Sequence, residues 1–232
     1  MTNGDIYICG DYEYRYNQYL PINTTKWTTD TTQNGWGLIV IDVTKTEYAP
    51  ILESINGKYI KNMHNTFNGG TNLEVAPTIP SNVTDINYTF SKCTNLKTYD
   101  GGINMDGDFS GYILPSGITE MMCTFSDCKN ITVAPVIPYG VKDMSYTFKQ
   151  CTSLTTAPTI PSSVTDMSST FYGCSSLSGA ITINSTPNYY SKCLTGTKIT
   201  EILGSCTIKT KILETKTGTS SGGSSGGFGP RV

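Results

Sequence analysis

From residue 66 onward the apolar residues return at a period far longer than that of a helix or a strand. Aligning "TFNGGTNLEVAPTIPSNVTDINY" (from Thr66), "TFSDCKNITVAPVIPYGVKDMSY" (from Thr124), "TFKQCTSLTTAPTIPSSVTDMSS" (from Thr147) and "TFYGCSSLSGAITI" (from Thr170) brings Phe67, Phe90, Phe125, Phe148 and Phe171 into one column. Their spacings are 23, 35, 23 and 23 residues, so one unit is 23 residues long and the second carries 12 more. Tyr190 in "YYSKC" takes the place of Phe90 in "TFSKC", which predicts a shortened last unit of 19 residues. Upstream, "YIKNMHNTF" matches "VTDMSSTF", and a partial unit opens near Tyr59.

Counted from the Phe, each unit has the same apolar skeleton. Cys93, Cys128, Cys151 and Cys174 stand at +3, where the first unit has Gly70, and Leu73, Leu96, Ile131, Leu154 and Leu177 stand at +6. Ala-Pro and then Ile-Pro follow in the regular units, with Val83, Val141 or Val164 next and a Met or Ile four residues before the following Phe. One apolar set per 23 residues cannot bury itself, so successive units must stack into a repeat solenoid. Proline in every unit denies helices an N–H and leaves short β-strands, tight turns and a turn of 3₁₀ helix around "TFYGC". The solenoid spans 56–198, about five turns, with an insertion at 100–112.

Residues 1–55 do not follow the repeat and read as a β-rich N-terminal cap or attachment segment. In that segment "WGLIVIDVT" predicts a buried strand and "YEYRYNQY" an alternating or exposed aromatic one. Residues 199–217, "ITEILGSCTIKTKILETKT", alternate as a C-terminal cap strand. Residues 218–232 form a Gly/Ser-rich tail tipped by Phe228 and Arg231, a candidate tail contact.

The string "IPSSVTDMSSTFYGCSSL", Ile160 to Leu177, resembles the BspA-like class of leucine-rich repeats, whose units read Leu-x-x-Ile-x-Ile-Pro, Val-x-x-Ile, Ala-Phe-x-x-Cys. The likeness covers about residues 59 to 195. It departs from the family where Thr-Phe replaces Ala-Phe, where Ala-Pro breaks the strand segment and where the second unit is expanded. The resemblance implies a right-handed leucine-rich-repeat solenoid, found mainly in surface proteins of bacteria and some protists and used for adhesion. It brings no catalytic residues.

The +3 cysteines form a column whose neighbours are one strand spacing apart, about 4.8 Å, a distance that admits a disulfide. Gly70 in the same slot favours a small buried position over an obligate bonded pair, so a ladder of free thiols is preferred to stacked disulfides or a metal array. Cys9, Cys123 and Cys206 lie off the column, and eight cysteines allow no pairing to be deduced. His64 is the single histidine and reads as a surface residue, which leaves no histidine-rich zinc site and one candidate base. Asp85, Asp143 and Asp166, with Glu120 in the expanded unit, read as a solvated or corner-capping row. In "DGGINMDGDFSGY", Asn104, Asp106, Asp108 and Ser110 alternate like calcium ligands. Phe109 stands where an EF-hand needs Gly, however, and Pro115 where it needs Glu, so a protruding polar loop is the expectation.

Charged residues make up 15% of the chain at a net charge of −2, which offers no basic footprint for nucleic acid. Neither an export signal nor an apolar run of the ~18 residues that a membrane span needs is legible, and no membrane insertion is expected. Thr, Asn, Ser, Gly and Tyr carry the polarity, as on an extracellular or virion surface. The expectation is a non-enzymatic binding or adhesion protein with no cofactor, no metal and no catalytic residue, preferred to a glycan-active or metal-dependent enzyme domain because the chain has a single histidine. Its place is a phage tail or head fibre, with other virion proteins as neighbours, or a bacterial cell surface. The receptor is a cell-surface carbohydrate or protein, contacted through Tyr88, Tyr146 and Tyr172 and through Asp106, Asp108 and Tyr112 of the insertion.

Overall fold

The computed structural model describes residues 5–17, 35–44, 51–99, 112 and 114–217. Three strands, β1 (Ile6–Cys9), β2 (Tyr12–Asn17) and β3 (Gly35–Val40), form a meander with β2 antiparallel to both neighbours. On its other side β3 pairs in parallel with β5 (Lys58–Asn62), which carries β4 (Ser54–Ile55) at its far edge. The alternation in "YEYRYN" is used as a strand should use it: Tyr12, Tyr14 and Tyr16 are buried, while Glu13 and Arg15 pair on the other face.

Asn62 at the end of β5 starts a second ladder that runs along the repeats. Parallel bridges join Asn62 to Asp85, Asp85 to Glu120, Glu120 to Asp143, Asp143 to Asp166 and Asp166 to Tyr189, one residue per unit. Elsewhere in the units β6 (Val75–Ala76) pairs in parallel with β7 (Thr98–Tyr99) and β8 (Ser178–Thr182) with β9 (Lys198–Leu203), and single parallel bridges join Val133 to Thr156 and Ile160 to Ile183. The fold is therefore leucine-rich-repeat-like, mostly short β-pairings and turns with little helix.

Around each Phe the chain makes a series of turns that a sequence reading takes for 3₁₀ helix. Two left-handed residues per unit interrupt any such helix. At Phe−2 stand Asn65, Tyr88, Cys123, Tyr146, Ser169 and Lys192, with φ between 54° and 62°. At Phe+2 stand Gly69, Lys92, Asp127, Gln150, Gly173 and Gly196, with φ between 59° and 80°. This conformation costs an L-residue about 1–2 kcal/mol, and its return is directional. It turns every second N–H toward the following unit. Tyr146, Phe148 and Gln150 donate to the carbonyls of Ser168, Thr170 and Tyr172 at 2.9, 3.0 and 2.7 Å, and the same pattern recurs in the other units. The intervening N–H groups close turns inside their own unit, as Thr147 does on Met144 and Cys151 on Phe148, both at 3.1 Å.

Side chains tie the units together a second time. Thr147 Oγ1 lies 2.8 Å from the carbonyl of Met144 in its own unit and 2.8 Å from that of Met121 in the unit before. Thr124 and Thr170 do the same, and Thr66 reaches back to the Leu38 carbonyl of β3 at 2.8 Å, so β3 stands where a preceding unit would. The Cys column works in parallel. Cys93, Cys128, Cys151 and Cys174 each place Sγ 3.0–3.1 Å from the Phe carbonyl one unit earlier, and every cysteine in the chain is a free thiol.

Between these two rows the phenylalanines stack. Centroids from Phe67 to Phe171 are 5.5–5.6 Å apart, with interplanar angles of 2–16°, and all five rings are fully buried. Offset stacks of this kind contribute about 0.5–1.5 kcal/mol per pair beyond area burial. The column ends on the edge of Tyr12, 6.3 Å from Phe67 and tilted 88°.

Three expectations are corrected. The last unit is not shortened. Leu194, not Tyr190, occupies the Phe slot, with Lys192 and Gly196 in the two left-handed positions and Phe171 N–H on the Cys193 carbonyl at 2.9 Å. The unit is thus 23 residues long, Tyr190 falls in the Met column, and Cys193 falls in the Thr column. Residues 199–217 are not one strand. After β9 the chain forms a helix, α1 (Lys209–Glu214), and a 3₁₀ turn at Thr215–Thr217, because Ile208, Ile212 and Thr215 turn one helical face to the interior. Tyr112, expected at an exposed loop, is 3% exposed. Its hydroxyl donates to the Pro77 carbonyl at 2.6 Å and its ring lies 5.0 Å from that of Tyr99, so it belongs to the interior.

The column makes the middle phenylalanines the costliest to remove. Phe125→Ala should destabilise the protein by about 3–5 kcal/mol, whereas Phe125→Leu should cost distinctly less, since Leu194 already fills the slot. Urea unfolding monitored by circular dichroism measures both.

Candidate binding face

The row of bridge residues from Asn62 to Tyr189 and the columns beside it form one face along the units. Asp at the bridge position caps its own turn: Asp85, Asp143 and Asp166 accept the N–H two residues on, from Asn87, Ser145 and Ser168, at 2.7–2.9 Å, and Asn62 does so for His64. This is the short Asx geometry that Asp and Asn favour, and it matches the corner-capping expectation. Glu120 is the exception. Its side chain is one methylene longer, and the N–H of Met122 is taken by Asn87 Oδ1 of the preceding unit at 2.7 Å. The Glu120 carboxylate is left without that structural task.

It also lies between two others of its kind. Burial first, then the charges of Asp143 and Asp85, push Glu120 up to about 7, with Lys142 opposing. Asp143 is raised too, mainly by burial, against the hydrogen bonds from Ser145 that hold it down. Asp85 receives Asn62 Nδ2 at 3.1 Å and lies 3.6 Å from His64 Nδ1. His64 is therefore drawn onto this face against Asp85 and the Tyr88 ring, 5.6 Å away, and is not the open surface residue expected.

Two of the tyrosines, Tyr88 and Tyr146, lie beside the acidic row. Tyr88 is half-buried between His64 and Cys123, and burial, then Cys123, raises its hydroxyl above the usual tyrosine range. Tyr146 is 36% exposed with Lys149 Nζ 5.7 Å above its ring, a cation–π arrangement. Tyr172 is half-buried and follows Phe171 directly, in the column that holds Lys149 one unit earlier. Of the candidate contacts, Tyr88 and Tyr146 share the Phe−2 column, Tyr172 stands at Phe+1 three positions along, and Tyr112 is withdrawn to the interior. Asp106, Asp108, Phe228 and Arg231 lie outside the described residues.

Two residues escaped the sequence reading. Tyr139 is 76% exposed and Val136 is exposed beside it, at positions where other units carry Ser81 or Ser162 and Thr78 or Thr159. Comparison between units, applied to polar positions as it was to apolar ones, would have found them.

Nucleophilic chemistry finds no support in the thiols. Burial pushes Cys93 and Cys174 up to about 12 and Cys128 and Cys151 well above the ordinary range, so the thiolate is disfavoured throughout the column. Cys123 is raised to about 11 by burial despite its bond with Tyr88. Among the described residues no three His, Cys, Asp or Glu side chains are grouped to hold a metal ion, and no helix is long and apolar enough to cross a membrane.

Two measurements follow. The folded Glu120 is easier to protonate than its unfolded counterpart, so its contribution to stability is present at and below pH ~4.5 and is lost as pH rises through about 7. Raising the pH from 5 to 8 should lower the Tm, and Glu120→Gln should flatten that slope without removing a turn cap. In the native protein Cys93, Cys128, Cys151 and Cys174 should resist a thiol reagent that modifies them after denaturation, as mass spectrometry of the labelled peptides will read.

Comparison with known proteins agrees with this geometry. Residues 108–215 match the family described as BspA type leucine rich repeat region, in six copies, and residues 40–155 match one described as Mycoplasma protein of unknown function, DUF285. No curated protein matches the chain. Among solved structures, a leucine-rich repeat protein of T. pallidum aligns at a TM-score of 0.50 and 16% identity, over 82% of this chain and 92% of its own. A leucine-rich repeat protein from Bacteroides ovatus aligns at 0.44 and 18%, over 83% of this chain and 57% of its own. Residues 108–215 are a BspA-type leucine-rich repeat region, and the chain, matched over half its length, belongs to the family described as Mycoplasma protein of unknown function, DUF285.

Proposed function

We propose that this chain is a non-enzymatic adhesion protein, a solenoid closed at both ends that turns the tyrosine-lined face toward a receptor, protein or carbohydrate. One observation carries the reading. The left-handed position at Phe−2 is held at nearly the same φ in every unit, and Asn65 occupies it with a residue that tolerates this backbone, yet Tyr88 and Tyr146 occupy it with a bulky one. Neither ring belongs to the stacked phenylalanine column, and strain of this sort persists where a side chain is wanted for another reason. Tyrosine supplies a flat apolar surface with a hydroxyl at its tip, which suits stacking on a sugar ring or filling a partner's pocket. Asp106, Asp108, Phe228 and Arg231 are further proposed contacts.

Such a protein works on an exposed surface, a virion fibre in the first reading and a bacterial envelope in the second. Immunogold labelling of particles and of whole cells separates the two. For the face itself, Tyr146→Asn is the sharpest variant. Relieving the left-handed tyrosine should leave the Tm unchanged or raise stability by about 0.5–1 kcal/mol, while adhesion to target cells or to a glycan array falls about tenfold or more. Unaltered adhesion would remove Tyr146 from the contact.

A further inference from the structure

The five-stranded sheet ends, among the described residues, at β1, and β1 is built unlike the strand behind it. Ile6 is 57% exposed, Ile8 61% and Tyr7 43%, whereas Tyr12, Tyr14 and Tyr16 of β2 are buried. Ile6 and Ile8 lie on the outer face opposite Arg15 and Glu13, and Tyr7 lies on the inner face against Tyr14 at 6.2 Å. A strand that is apolar on both faces and paired on one side only is a template for another strand. Natural edges normally blunt that with charge, proline or a bulge.

The register with β2 decides which backbone groups face outward. Tyr16 N–H donates to the Asp5 carbonyl at 2.8 Å, so the Asp5–Tyr16 pair is a hydrogen-bonded one. Alternation along an antiparallel ladder then makes Tyr7–Tyr14 and Cys9–Tyr12 hydrogen-bonded pairs as well. Ile6 and Ile8 therefore direct N–H and C=O away from β2.

We infer that β1 pairs edge to edge, antiparallel, with β1 of a second copy of this chain, about a two-fold axis passing at Tyr7. The sequence Ile-Tyr-Ile reads the same in both directions, which is the self-complementarity that an isologous interface needs. Centred on Tyr7, Ile6 faces Ile8 of the second copy and Ile8 faces Ile6. Their outward N–H and C=O groups meet, and the four isoleucines gather on the outer face. Tyr7 then stands opposite Tyr7 of the second copy in a non-hydrogen-bonded pair, which continues the buried tyrosine row across the axis. The alternatives are poorer. Centring on Ile8 would set Asp5 directly against Asp11 of the second copy, a like-charge pair, and centring on Ile6 carries Ile8 beyond the end of the strand. The Tyr7 register places Asp5 opposite Cys9 and opposes no charges.

Analytical ultracentrifugation of the full chain, from low to high micromolar concentration, tests this. The wild type should sediment as a monomer–dimer equilibrium. The double variant Ile6→Lys, Ile8→Lys sets Lys against Lys at both outward pairs and should weaken the dimer about a hundredfold or more, with far-UV circular dichroism and Tm matching wild type because both side chains are exposed. Tyr7→Cys gives a positional readout. The two Cα atoms of a non-hydrogen-bonded pair lie about 4.5 Å apart, within disulfide range, so mild oxidation should produce a covalent dimer whose linked peptides both contain position 7. A wild type that stays monomeric at high micromolar concentration overturns the inference. So does a folded lysine variant that dimerises as tightly as wild type, or an oxidised dimer joined elsewhere.

Discussion

The structure depends on one constraint: each unit must satisfy the carbonyls of its neighbour. A unit of 23 residues broken by prolines has no helix and almost no extended strand in which to hide its backbone, so its polar groups must be paired across the stack. The left-handed residues on either side of the Phe are how this is done. With them, alternate N–H groups point to the next unit, and the carbonyls of Met and Phe, each accepting a turn N–H in its own unit, keep a second lone pair for the Thr and Cys side chains. Thr and Cys are small enough to lie between two rows of aromatic and sulfur-containing side chains, and each has a proton to donate. Burial of the phenylalanine stack stabilises the arrangement, but the hydrogen-bond ladder sets the spacing at which the rings meet.

This explains why some of the fold was legible in the sequence and some was not. Phe, Leu, Ile and Val report burial, and burial repeats with the unit, so the 23-residue register and most of the interior could be read directly. The Cys column was legible for a related reason, since Gly70 shows that the slot selects for size and not for bonding. The last unit was misread because "YYSKC" matches "TFSKC" in its letters. The residue in the Phe slot is identified by the left-handed positions two before and two after it, and a Gly at 196 is a weaker cue to the eye than an aromatic at 190. Helix α1 was missed because "TIKTKILET" alternates like a strand, while Ile208, Ile212 and Thr215, at helical spacing and with Leu213 beside them, reach the interior. The spare carboxylate of Glu120 was visible only as one more acid in a row. Its distinction lies in chain length, which matters once Asp is known to be capping a turn.

A repeat also separates what the fold needs from what it leaves free. Columns that vary least, namely Thr, Phe, the small +3 residue and the branched +6 residue, depart from type chiefly in the last unit, at Cys193, Leu194 and Thr200, and are occupied by contacts between units. The Phe−2 column is different, because its backbone is invariant and its side chain is not: Asn, Tyr, Cys, Tyr, Ser and Lys succeed one another at the same φ. Fold stability alone would drive that column toward Gly or Asn, as it has driven half of the Phe+2 column to Gly. The tyrosines persist against that pressure on the face where the carboxylate row also lies. The same logic sets a limit on catalysis. A reaction centre needs several dissimilar groups to converge, whereas a stack of equivalent turns offers like groups in rows, and rows suit a surface that is read over its length by a partner.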